Sequence, residues 1–161
     1  MNEIEILKKI EKKVLWLACW MIHNANHIRE NQDGLKVGGH QASSASIVSI
    51  MSALYFSILR PEDRVAVKPH ASPVFHAIQY LSGLQTKEKI ENFRGFGGAQ
   101  SYPSRTKDID DVDISTGSVG LGVAMTSFIS LIQDYIARKK FYKNKPLGRM
   151  IALVGDAELD E

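Results

Sequence analysis

Apolar residues recur at helical spacing along the opening stretch. Ile6, Leu7, Ile10, Val14, Leu17 and Met21 share one face, and the pattern predicts a long amphipathic helix over residues 3–32. Asp33-Gly34 is a turn signal that ends it. The segment from Lys36 to Ala42, with its Gly38-Gly39-His40 triplet, reads as a loop. Ser43 or Ser44 is placed to cap a second helix running to about Leu59, and Pro61 punctuates. Val65 and Val67 alternate with polar neighbours, so Arg64 to Lys68 reads as a short strand. Pro69-His70 leaves that strand, and Ala71 to Leu81 reads as a helix. Thr86 is a helix cap without the full reciprocal box. Residues 95–113 are rich in Gly, Pro, Ser and Asp and show no apolar period, which predicts a long functional or disordered loop. The Gly117–Gly122 turn opens another amphipathic helix to about Lys140. Arg149 to Val154 has the continuous apolar character of a buried strand and runs into Gly155-Asp156. Strands alternate with helices, so the fold class is α/β with a parallel sheet flanked by helices.

Composition narrows the setting. With 161 residues the chain suits one domain or most of one. It is 44% apolar and 24% charged, the balance of a soluble globular protein. A net charge of +2 gives no support for nucleic acid or a membrane as partner. Charged residues from Glu3 through Lys13 leave no room for a signal peptide, and no apolar run approaches a bilayer span. The single cysteine, Cys19, excludes an internal disulfide and reads as a small core residue on an apolar helix face. A cytoplasmic location is expected. The sequence stops soon after Asp156, whereas a buried parallel strand needs a covering crossover helix. The domain is therefore expected to be truncated, with its remainder in the same polypeptide or in a partner.

Three constellations could carry chemistry. The first is the strand leading into Gly155-Asp156-Ala157-Glu158. A carboxylate at the carboxyl end of a parallel strand can hold magnesium, which bridges phosphates, although an aspartate there can equally be a helix cap. The second is Ser115 through Gly122, where Gly117, Gly120 and Gly122 lead into a helix. Its amides could face an anion, or the glycines could permit close helix packing. The spacing is neither the dinucleotide fingerprint nor a phosphate loop with its lysine. The third is the histidines. His40 follows two glycines and His70 leaves a strand, so both are placed to reach a cleft. His76 lies within a helix, and His23 with His27 forms an i, i+4 pair that reads as a plain surface or packing pair because no further zinc ligands accompany it.

The order of these features resembles the amino-terminal domain of the transketolase superfamily. Lys68-Pro-His-Ala-Ser-Pro-Val-Phe-His76, Gly97-Gly-Ala-Gln-Ser-Tyr-Pro-Ser-Arg105 and Gly155-Asp-Ala-Glu-Leu-Asp-Glu161 look closest to the homodimeric type of pyruvate dehydrogenase decarboxylating component. The resemblance covers residues 1–161. It implies the diphosphate-binding domain of the thiamine-diphosphate-binding fold, with thiamine diphosphate and Mg2+ as cofactors. It places His40 toward the substrate and the reactive carbon of the cofactor, and His70 near the diphosphate. Gly117 and Val119 match a backbone turn against diphosphate and aminopyrimidine. Gly155, Asp156 and Ala157 match the start of the diphosphate–metal motif, with Asp156 as metal ligand. Glu161 matches an acidic residue that links two active sites across a dimer.

Transketolases carry His-Pro where this chain has Tyr102-Pro103, which favours a 2-oxo acid over a ketose phosphate as substrate. The asparagine that completes the metal site and the glutamate that activates the aminopyrimidine fall outside the chain. A complementary chain or domain, a homodimeric state when complete and a lipoyl-bearing acyltransferase partner are the implied associations. A transketolase, a deoxyxylulose-phosphate synthase or a non-catalytic partner-binding remnant are the alternatives. By itself the chain is expected to catalyse neither decarboxylation nor ketol transfer.

Overall fold

The computed structural model describes residues 2–31, 34–117, 119–141 and 146–159. Helix α1 spans Glu3–His23. Its start is a reciprocal cap: Asn2 Oδ1 accepts from the Glu5 amide at 2.9 Å and Glu5 Oε2 accepts from the Asn2 amide at 3.2 Å. The helix then widens into one turn over Asn24–Ile28, closed by the Arg29 amide donating to the Asn24 carbonyl at 2.8 Å. It therefore ends short of the expected residue 32. The cause is Asn26, whose Nδ2 donates to the carbonyls of Ile22 (2.7 Å) and Gly38 (2.9 Å). Its Oδ1 accepts from the Gly38 amide at 2.9 Å, so one side chain buckles the Gly38-Gly39-His40 loop onto α1. Of the expected turn, Gly34 has φ +67°, while Asp33 lies outside the described residues.

The second helix begins earlier than its serines suggest. α2 covers Gln41–Ala45 with His40 at the cap position, and neither Ser43 nor Ser44 caps it. Gly38 and Gly39 have φ +85° and +109°, and they turn the chain directly into the helix. Ser44 is buried instead, its Oγ donating to the His70 carbonyl at 3.3 Å. α3 follows at Val48–Ala53 and leaves through a second wide turn at Leu54–Ile58.

Strand β1 (Arg64–Ala66) pairs in parallel with β2 (Met150–Ala152), Val65 opposite Ile151. Both are shorter than their apolar runs. The Leu153 amide donates to the Ala66 carbonyl at 2.9 Å, and the ladder then gives way to Thr116 Oγ1 donating to the Val67 carbonyl at 2.6 Å. Asp113 Oδ2 accepts from the Val65 amide at 2.9 Å, so the 110–116 segment covers the outer edge of β1. β2 is only half-buried, contrary to its buried-strand pattern, because no strand flanks its outer edge among the described residues.

Asp63 ties the two strand starts together. It accepts from the amides of Arg60 (3.0 Å) and Arg149 (2.8 Å) and forms ion pairs with both guanidinium groups. Hydrogen bonds from Arg149 and then Arg60 hold its carboxyl well below the usual carboxylate range.

α4 (Ser72–Leu81) follows a tight turn at Pro69–Ala71 and is the helix at the centre of the core. Val74, Phe75 and Ile78 pack with Val14, Ala18 and Met21 of α1, Met51 of α3, and Phe93. α5 covers Lys87–Glu91, with Thr86 Oγ1 accepting from the Lys89 amide at 3.3 Å as its cap. Cys19 is half-buried at the core margin rather than inside it. α6 runs over Leu121–Arg138, starting after Gly120 (φ +78°) within the expected glycine turn. Among the described residues no helix is long and apolar enough to cross a membrane.

Candidate functional site at the strand ends

Both strands point their carboxyl ends at one cleft of about 370 Å3, lined by His40, Ser43, Lys68, His70, Val119, Gly155, Asp156 and Glu158. This is where an open parallel sheet offers a ligand site. Three segments deliver the histidines and the carboxylates. The loop pinned by Asn26 brings His40, the turn after β1 brings His70, and the two rings meet edge to face at 5.8 Å between centroids. The turn after β2 brings Gly155 and Asp156, with Asp156 exposed at the first position of a tight helical turn, Asp156–Leu159.

The glycine at this turn keeps the cleft open. A Cβ on Gly155 would lie 3.2 Å from Lys68 Nζ and 3.8 Å from Glu158 Oε2, filling the space between them. The Gly155 amide instead donates to Glu158 Oε2 at 2.7 Å, while Glu158 Oε1 is buried without a partner among the described residues. Gly122 answers the packing alternative: its Cβ would meet Ala66 Cβ at 3.3 Å, so it lets α6 lie close on β1. Val119 joins the cleft wall. Gly117 does not line it; a Cβ there would have the Tyr102 ring as its nearest neighbour, at 3.9 Å. Ser118 and Glu161 lie outside the described residues, as does the side chain of Ala157.

Lys68 and Glu158 belong to the cleft although neither stood out as a site residue. Lys68 is extended just before the tight turn Pro69–Ala71 that carries His70, and both side chains line the cleft. His76 is fully buried and serves the fold. Its Nδ1 lies 2.6 Å from Asp110 Oδ2 and its Nε2 lies 2.9 Å from the Gln100 carbonyl. With Asp108 these groups form the cluster of metal-ligand type found among the described residues. Its carboxylate oxygens are all engaged: Asp108 accepts from the amides of Gln100 (3.0 Å) and Ser104 (2.8 Å), and Asp110 also accepts from Gln85. The cluster is a clamp that orders the long 95–113 segment against α4. His23 and His27 are an exposed surface pair, their rings tilted at 34° with centroids 5.0 Å apart.

A pyruvate dehydrogenase E1 component from Pseudomonas aeruginosa is 30% identical over 96% of this chain, and one from Escherichia coli is 26% identical over 99%. A third, from Buchnera aphidicola subsp. Schizaphis graminum, is 27% identical over 99%. The chain is similar to pyruvate dehydrogenase E1 components along nearly its whole length. It spans 18% of the length of each of these relatives. No protein-family model matches it. The resemblance drawn from the Lys-Pro-His, Ser-Tyr-Pro and Gly-Asp motifs is thus borne out at the level of the E1 component, and the α/β class with a parallel sheet is borne out by the structure.

Proposed function

We propose that this chain forms the diphosphate- and metal-facing wall of a thiamine-diphosphate-dependent E1-type site acting on pyruvate or a close 2-oxo acid. The observation that carries this reading is the convergence of His40, His70, Gly155 and Asp156 on one cleft at the strand ends. The cleft fits the group: a side-chain-free Gly155, an exposed Asp156 and an ammonium at Lys68 suit a diphosphate with its cation. When bound, thiamine diphosphate supplies the carbanion and electron-sink chemistry of 2-oxo acid decarboxylation.

The chain's own residues bind and orient. Asp156 would hold Mg2+, a hard cation taken by oxygen ligands, through its carboxylate. Gly155 lets the backbone approach a phosphate. His70 leaves β1 beside the same wall, and His40 stands edge-on to it, positioned to donate a hydrogen bond to a bound 2-oxo acid. The asparagine that completes the metal shell, the activating glutamate and a lipoyl-bearing acceptor would come from outside this chain.

Calorimetric titration of thiamine diphosphate at fixed Mg2+ tests the reading. Asp156→Asn keeps the size of the side chain but removes its charge, and affinity should fall about tenfold or more. Asp134→Asn, on the exposed side of α6, should change nothing. Equal affinities for the Asp156 variant and the parent would make Asp156 a helix cap and sink the metal assignment.

A further inference from the structure

The cleft also contains a cation that belongs to no metal motif. Lys68 stands at the end of β1, half-buried, with its ammonium 3.2 Å from the point where a Gly155 side chain would begin. Among the described residues it has no ion pair and no hydrogen bond. Two carboxylates, Asp156 and Glu158, share the wall, and a buried oxygen of Glu158 has no partner among the described residues. Two carboxylates with no cation would repel a diphosphate. The ammonium of Lys68 faces the same space and offsets part of that repulsion without any metal.

Building on the diphosphate reading above, we propose that Lys68 is a second, metal-independent anchor for the diphosphate, holding it on the β1 side while Asp156 holds the cation on the β2 side. An ammonium acts as a point charge with three donors and needs no fixed geometry, so it can engage a phosphate before the metal shell is complete. Two features support the placement. Lys68 lines the same cleft as His70, Gly155 and Asp156, and Gly155 keeps the space in front of the ammonium open. Consequently the chain should retain measurable affinity for a diphosphate after magnesium is removed, and that residual affinity should belong to Lys68.

The experiment is calorimetric titration of inorganic pyrophosphate into the chain in the presence of a chelator, repeated with Mg2+, for the parent, Lys68→Gln and Lys68→Arg. Lys87→Gln on exposed α5 is the control. The parent should bind pyrophosphate without metal, Lys68→Gln should lose at least tenfold, and Lys68→Arg should recover most of the loss. Because Gln keeps a flexible, polar side chain at this half-buried position, circular dichroism should show an unchanged fold. Whether or not the variants fold, the 15Nζ resonance of Lys68 in the parent should shift on adding pyrophosphate. No metal-free binding by the parent, equal affinity of Lys68→Gln, or an unmoved Lys68 resonance each overturns the proposal. A parallel titration with pyruvate separates the two anion sources: loss of pyruvate binding in Lys68→Gln with pyrophosphate binding intact would assign the lysine to a substrate carboxylate and refute the anchor. Thiamine diphosphate that fails to compete with bound pyrophosphate would refute the thiamine reading and leave the Lys68 anchor standing.

Discussion

Helices α4 and α6 have similarly apolar sequences and opposite fates. In α4 eight of ten residues are buried, from Ser72 through Gln79. In α6, which is 18 residues long, Thr126 alone is fully buried among the described side chains. Leu121, Met125, Phe128, Ile132 and Tyr135 recur at spacings of four and three, and all are substantially exposed, Phe128 at 62%. The core of α1, α3 and α4 is complete within the chain, whereas α6 and β2 cover one another on one side only. The cleft sits on the seam between these halves: His40 and His70 come from the complete half, Val119 and Asp156 from the open one. A site of this kind has one wall held firmly and one held loosely.

Four substitutions probe that contrast, beginning with the largest expected effect. His76→Ala removes the buried partner of Asp110 and releases the 95–113 segment, and chemical denaturation should show a loss of about 3–5 kcal/mol. Asp63→Asn weakens the link between the two strand starts and should lower the thermal midpoint by several degrees. Its pH signature is specific. Asp63 is held below its unfolded value, so its contribution is present above about pH 4 and is lost as pH falls toward the folded value. The variant should therefore show a flatter decline of stability in acid than the parent. The matched pair Ile78→Val and Ile132→Val tests the comparison most cleanly. On α4 the deletion of one methylene should cost about 1 kcal/mol. On α6 the same change should stay within about 0.5 kcal/mol. Equal losses at the two positions would mean that α6 is covered in solution.

Much of this was legible from local pattern. The apolar period located α1 and α6, the Pro69-His70 strand exit marked the start of α4, the Thr86 cap was readable, and the Gly155-Asp156 strand exit fell where expected because these features depend on neighbours in sequence. What stayed hidden depends on distant partners. Asn26 ends α1 by bonding Gly38, and Ser44 turns inward to His70 instead of capping a helix. The His76–Asp110 clamp joins residues 34 positions apart, so an aspartate-rich stretch that looked like open loop is held from within. Lys68 was hidden differently: it opens the Lys-Pro-His motif in plain view, and only the bare backbone of Gly155 beside it shows which space its charge faces.

Amide chemical-shift mapping of the 15N-labelled chain, titrated with thiamine diphosphate and Mg2+, tests most directly whether the ligand site is the cleft at the strand ends. The largest changes should fall on His70, Val119, Gly155 and Asp156, while the amides of Trp16, Trp20 and Tyr80, which line a separate apolar cavity of about 250 Å3, remain still. Changes centred on that second cavity, or an unchanged spectrum at saturating cofactor, would contradict the assignment.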